Sequence, residues 1–143
     1  MKKIISKSLE ETKKIGSELS QTLKSGDIVL LSGEMGAGKT VFTKGLADGF
    51  RIDQNITSPT FSLMNIYDTK NNPTIKKLVH IDTYRLENEE QILQIGAADF
   101  VGASGTVSVI EWPEKLNRIL KGKKLIEIEI KHLDDKSREI IIK

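Results

Sequence analysis

Apolar residues along this chain fall into two spacings that alternate with one another. Short continuous runs occur at 27–31 (Asp-Ile-Val-Leu-Leu), 78–82 (Leu-Val-His-Ile-Asp) and 106–110 (Thr-Val-Ser-Val-Ile). Their length and β-branched content predict strands buried on both faces. Between them lie helical spacings. Leu9, Ile15, Leu19 and Leu23 form an amphipathic stripe on a helix capped at or near Ser8, running to about Lys24 and ended by Ser25-Gly26. Phe42, Leu46 and Phe50 form a second stripe on a helix over 39–50, and 87–95 reads as a helix with a polar start. Residues 3–6 predict a short edge strand. Residues 57–67 predict an extended segment, because Ser58 precedes Pro59 and β-favouring alternation follows. Lys-Asn-Asn-Pro-Thr at 70–74 has turn composition, and 125–130 and 139–142 alternate around Asp134-Asp135 as a C-terminal hairpin would. With no repeat, low-complexity tract or linker, this order predicts one α/β domain spanning 1–143.

The junction between the first buried strand and the second helix carries the chemistry. Residues 33–40 read Gly33-Glu34-Met35-Gly36-Ala37-Gly38-Lys39-Thr40, which fills G-x-x-x-x-G-K-[ST] and adds a third glycine. With glycine at roughly 7% of residues, such a match arises by accident in only about one chain of this length in a few hundred. The pattern suits a phosphate cradle. Glycines let backbone N–H groups turn onto phosphate oxygens, a lysine reaches the β and γ oxygens, and a threonine hydroxyl ligates Mg²⁺. Strand, glycine loop and helix N-terminus follow in the order that anion binding requires.

A cradle alone selects no reaction, and two acids at strand ends narrow the choice. Val-Ser-Val-Ile-Glu ending at Glu111 is the cleaner match to a metal-side acid, and Leu-Val-His-Ile-Asp ending at Asp82 is the second. Parallel strands bring both to the carboxyl edge of the sheet, where ligands of open α/β folds bind. One acid can then hold hydrated Mg²⁺ while the other orients or deprotonates an attacking water; the competing reading of each is a solvated strand end. Trp112 leaves open stacking on an adenine face or packing at a sheet edge. The segment Ser58-Pro59-Thr60-Phe61 is a candidate switch sensing a γ-phosphate, against a plain loop into an edge strand. Arg85 could pair with a phosphate or a partner protein, or sit on the surface beside acids. His80, inside an apolar strand, reads as packed or hydrogen-bonded, with no proton chemistry assigned.

Composition sets limits on partners. The 143 residues, 38% hydrophobic and 29% charged, suit a globular chain that buries roughly two thirds of its unfolded surface. Twenty-two basic and 20 acidic residues leave a net charge of +2, too small to announce a nucleic-acid binder, so any RNA contact is local or made through a partner and DNA is not expected. No cysteine is present, which excludes disulfides and thiol catalysis. The N-terminus has no continuous apolar run of export type and no stretch approaches membrane-spanning length, so a cytoplasmic protein without membrane contact is expected.

Beyond the generic loop, Ser58-Pro59-Thr60-Phe61, Tyr67, His80-Ile81-Asp82-Thr83-Tyr84-Arg85-Leu86 and Ile110-Glu111-Trp112-Pro113-Glu114 occur in order. In this the chain resembles, over nearly its whole length, the TsaE (formerly YjeE) family of bacterial ATPases needed for tRNA threonylcarbamoyladenosine synthesis. The resemblance implies a P-loop NTPase-like α/β sandwich whose mostly parallel central sheet is extended by antiparallel strands. It also implies hydrolysis of ATP with Mg²⁺ in support of TsaB and TsaD, in which TsaD transfers the threonylcarbamoyl group to the adenosine beside the anticodon. Contact with tRNA is then indirect. Carried over position by position, Glu34, Met35, Gly36, Ala37, Gly38 and Lys39 hold the phosphates, Thr40 and Glu111 match the Mg²⁺ site, and Asp82 matches an acid needed for hydrolysis. Trp112 matches a residue beside the nucleotide, and the Glu11-Thr12 region and Arg138 fall where the family places parts of the nucleotide pocket. Val41 departs from relatives that carry a second threonine there, leaving Thr40 as the metal hydroxyl. A small-molecule P-loop kinase is disfavoured by only four dispersed arginines, Arg51, Arg85, Arg118 and Arg138. A GTP-dependent switch is disfavoured by the absence of an Asn-Lys-x-Asp guanine-reading motif.

Overall fold

The computed structural model describes residues 1–34, 36–59 and 62–143. Seven strands form one sheet in the order β1-β7-β6-β2-β5-β4-β3. In chain order the elements are β1 (Lys2–Ser6), α1 (Leu9–Ser20), β2 (Ile28–Ser32), α2 (Lys39–Gly49), β3 (Met64–Asp68), β4 (Lys77–Asp82), α3 (Glu89–Gln94), β5 (Thr106–Glu111), α4 (Asn117–Leu120), β6 (Leu125–His132) and β7 (Arg138–Ile142). Parallel pairing joins β6, β2, β5 and β4 in the middle, while β3, β7 and β1 add antiparallel at the two sides. Of the parallel strands, β2, β5 and β4 are the continuous apolar runs, as burial on both faces demands, while β6 alternates apolar and polar residues. Among the described residues no helix is long and apolar enough to cross a membrane.

Period two divides each run between two cores. Val29, Leu31, Leu78, Val107, Val109, Ile128 and Ile130 pack on one face with Phe42, Leu46 and Phe50 of the α2 segment. Ile28, Leu30, Val79, Ile81 and Ile110 pack on the other with Leu86, Ile92, Leu116 and Ile119. Each fully buried side chain of this size stabilises the fold by about 1.5–3 kcal/mol relative to exposure, so both layers are anchored by the same strands.

Local chemistry explains where the elements stop. Ser8 caps α1, its Oγ accepting from the Glu11 amide at 3.1 Å while Glu11 Oε2 accepts from the Lys7 amide at 2.7 Å. This helix ends at Ser20 rather than near Lys24. The Thr22 hydroxyl bonds back to Leu19 O at 2.8 Å and the Asp27 carboxylate takes the Lys24 amide at 2.7 Å, so side chains offer the backbone a turn instead. The extended segment expected over 57–67 shrinks to β3. Leu63, with φ 66°, donates its amide to Pro59 O at 3.0 Å, and this turn keeps the described residues before Met64 out of the sheet. The third helix is likewise shorter than 87–95, and α4 is an addition whose Arg118 and Ile119 amides are capped at 3.0 Å by the Glu89 carboxylate.

Helices α1 and α2 pack so closely that glycines are required between them. A Cβ on Gly45 would stand 2.0 Å from Lys13 O, and one on Gly16 would stand 2.5 Å from Phe42 O. Gly45→Ala should therefore destabilise the protein by about 1–3 kcal/mol through overpacking, although alanine is the better helix former by about 1 kcal/mol. Urea unfolding measures this, and a variant as stable as the parent would show that the helices can separate at no cost.

Candidate functional site

The glycine loop leaves β2 at its carboxyl end and enters α2 at Lys39. Gly33 has φ 152°, and a Cβ there would lie 2.5 Å from Ile130 O of the neighbouring strand, so the backbone passes too close to β6 for any side chain. Gly38 is the N-cap of α2 with φ 106° and supplies no side-chain hydrogen bond to the first-turn amides. Among the described residues nothing caps those amides, the arrangement that binds anions. The loop is also braced from behind. Arg138, 5% exposed, donates from Nε to Ala37 O at 2.9 Å and from Nη1 to Asp134 O at 3.0 Å.

The ends of β4 and β5 complete the site. Asp82 and Glu111 are register partners across the parallel pair, which sets both carboxylates at one edge of the sheet on the face shared with Val109. Asp82 accepts from the Ser58 hydroxyl at 2.9 Å and from the Tyr84 amide at 3.0 Å. Glu111, almost wholly buried, lies with Oε2 at 2.7 Å from His80 Nε2. Gly36, Lys39, Ser58, Asp82, Tyr84, Arg85, Glu111 and Trp112 line one cavity of about 210 Å³.

Lys39 stands at the centre of this cavity's electrostatics. Its ammonium donates to Gly33 O at 2.8 Å and lies 3.8 Å from the centre of the Trp112 ring, a cation–π contact. Burial pushes the ammonium below the ordinary lysine value, and the carboxylates of Glu111, Asp82 and Glu114 oppose that shift. Trp112 itself is held in the left-handed region at φ 57°. The Thr83 hydroxyl donates to Glu111 O at 3.1 Å and to Trp112 O, and Pro113 opens a short 3-10 turn next in the chain. Such over-determined strain marks a position whose side chain is aimed.

The sequence-predicted residues thus divide into three sets. Gly36, Lys39, Asp82, Glu111 and Trp112 meet at the cavity. Ala37, Thr12 and Arg138 stand behind the loop: Ala37 and Thr12 are fully buried, and the Thr12 hydroxyl is engaged by Ser6 Oγ at 2.7 Å. Glu34 is exposed and Thr40 half-buried in the first turn of α2, and neither lines the cavity. Met35, Thr60 and Phe61 lie outside the described residues, so the candidate switch is represented by Ser58 and Pro59 alone. For Trp112, where sequence leaves adenine stacking and sheet-edge packing open, the ring covers the Lys39 ammonium and stands 5.1 Å from the Tyr84 ring. The sequence assigns Tyr84 no role of its own and His80 no partner; the signal for both is their place beside Asp82 in the 80–86 run.

Comparison with known proteins places the chain in a family. Residues 6–140 match the family model described as threonylcarbamoyl adenosine biosynthesis protein TsaE. The chain belongs to the TsaE family. Threonylcarbamoyl adenosine biosynthesis is therefore its setting. It is similar to the tRNA threonylcarbamoyladenosine biosynthesis protein TsaE of Treponema pallidum, at 38% identity over 96% of this chain and 97% of that protein. The TsaE protein of Aquifex aeolicus is 35% identical over 99% of this chain and 96% of its own. Among solved structures, YdiB of Bacillus subtilis superposes with a TM-score of 0.78 at 30% identity, covering 99% of this chain and 83% of that one. The mixed sheet, parallel at its centre, is thus shared with a solved relative.

The brace behind the loop gives this family member a testable weakness. Arg138→Ala removes a charge-assisted hydrogen bond from Ala37 O in a buried position, which should cost about 1.5–3 kcal/mol of stability. Arg138→Lys should not restore it, since one ammonium cannot span Ala37 and the 134–137 turn together. Denaturant unfolding of both variants checks this, and parental stability in either would remove Arg138 from the loop's support.

Proposed function

We propose that this TsaE-family protein is a P-loop ATPase that binds ATP with Mg²⁺ and hydrolyses it to support TsaB and TsaD in threonylcarbamoylation of the tRNA adenosine beside the anticodon. The observation that carries this reading is one cavity joining an uncapped helix N-terminus, a desolvated lysine and two register-paired acids. The chemistry of that set fits a metal-bound triphosphate: donors for anionic oxygens on one wall, carboxylates for a cation and a water on the other.

In this reading the loop amides and Lys39 bind the β and γ oxygens, and in doing so Lys39 exchanges Gly33 O for phosphate. Thr40 and Glu111 would hold Mg²⁺, which when bound neutralises charge developing on the phosphate oxygens. Asp82 orients the attacking water or accepts its proton, positioned by Ser58 and by the Tyr84 amide. As the water oxygen bonds to the γ-phosphorus, the bond to the bridging oxygen breaks and that oxygen leaves with ADP. Trp112, over the ammonium, excludes bulk water from Lys39 and strengthens its field on the phosphates.

The roles separate on mutation. Lys39→Ala should weaken ATP binding by about 10- to 100-fold, the equivalent of one charge-assisted contact, and abolish turnover. Calorimetry and phosphate release measure the two effects, and unchanged hydrolysis would refute the assignment of the loop. Asp82→Ala should instead lower turnover by about 100-fold or more while leaving ATP affinity close to the parent's. An equal loss of affinity in both variants would make Asp82 a ground-state ligand. Hydrolysis by the full chain should rise when purified TsaB, TsaD and tRNA are added, and a rate indifferent to all three would separate the ATPase from the complex.

A further inference from the structure

The Glu111 carboxylate has a partner for which the proposed reaction has no use. His80 is fully buried in β4, two residues before Asp82, and its Nε2 stands 2.7 Å from Glu111 Oε2. Register pairs His80 with Val109 and Asp82 with Glu111, so His80 and Glu111 are diagonal neighbours on the same face of the sheet. The surrounding positions, Leu78, Val79, Ile81 and Val109, are apolar and fully buried. An aliphatic side chain would suit the strand better than an imidazole does. The imidazole is also poorly satisfied as a core residue, because its Nδ1 has no hydrogen-bond partner among the described residues. Its single engaged nitrogen points at the acid of the site.

We propose that His80 is the positioning residue for Glu111. The ring carries its proton on Nε2 and donates it to Glu111 Oε2, which fixes that oxygen on the buried side and leaves Oε1 for the cavity that Glu111 lines. The opposite tautomer would set a lone pair against the carboxylate and bury an N–H with no acceptor. A single hydrogen bond from the ring orients the acid and leaves its second oxygen available to a cation. Partners of this kind orient metal-binding groups and are worth about 10- to 100-fold in metal affinity or activity. The inference rests on the reading of Glu111 as a Mg²⁺-side acid.

The test compares ATP binding by the full-length chain, with Mg²⁺ and with EDTA, in the parent, His80→Leu and His80→Gln. The leucine variant should bind metal-free ATP as the parent does. Its strengthening of ATP binding by Mg²⁺ should fall about tenfold or more, and KM for ATP in the presence of Mg²⁺ should rise with it. Glutamine, whose amide nitrogen reaches the place of Nε2, should recover most of both. If the leucine variant does not fold, His80→Asn takes its place, since an asparagine amide stops at the Nδ1 position and should fail where glutamine succeeds. A replacement without the donor that keeps the parent's Mg²⁺ response overturns the proposal. Glutamine variants impaired as much as leucine or asparagine ones, with the same loss of stability, overturn it too by reducing His80 to packing. A parent whose ATP binding ignores Mg²⁺ overturns the reading of Glu111 as a Mg²⁺-side acid and this inference with it, whereas a parent that binds no ATP refutes the nucleotide reading itself.

Discussion

Parallel hydrogen bonding between β2, β5 and β4 aligns three strand ends at one edge, and whatever follows each strand is forced into the same small volume. Leu31 lies beside Glu111 and Glu111 beside Asp82 in register. The glycine loop that follows β2 therefore opens next to two carboxylates, Asp82 and Glu111, that lie 51 and 80 residues beyond Leu31 in the chain. A one-residue slip of either pairing would turn an acid to the opposite face of the sheet and bury it against the aliphatic layer of Val79, Ile81 and Ile110. The two cores hold that register, because each strand places apolar side chains on both faces and cannot shift without exposing both sets.

The same edge is expensive to assemble. It collects a lysine, two acids, a histidine whose Nδ1 has no partner among the described residues and a tryptophan in the left-handed region. What offsets the cost is neighbouring structure: Arg138 on Ala37, Thr83 on the Glu111 and Trp112 carbonyls, Ser58 and the Tyr84 amide on Asp82. Each of these groups is hydrogen-bonded to something that the site must keep still. Lys39 is the exception in kind, since its partner Gly33 O is one that a phosphate can displace. The site is thus rigid in its acids and exchangeable at its cation, the division that the proposed binding and release of a nucleotide would use.

Much of this was legible along the chain because it is local. Buried strands are continuous apolar runs, the Phe42–Leu46–Phe50 stripe repeats at helical spacing, and the glycine loop is contiguous. The less legible parts depended on competition. Residues 57–63 have extended character, but the Pro59–Leu63 turn takes the described part of them out of the sheet. Residues 21–24 continue a helical pattern, but Thr22 and Asp27 capture the backbone first. The short helix α4 has no strong pattern of its own and is capped by Glu89, which lies about a strand and a helix earlier in the chain.

Sequence alone determined the glycine loop, the strand-end acids, the alternation of strands and helices and, through the motifs of the 80–86 and 110–114 runs, the family. These are contiguous patterns, and period and spacing encode them directly. Only the tertiary structure decided that His80 belongs to Glu111, that Arg138 and Thr12 stand behind the loop rather than in the cavity, and that Trp112 lies over Lys39. Those relations join residues far apart in the chain, and they exist only once strand order and register have chosen which ends become neighbours.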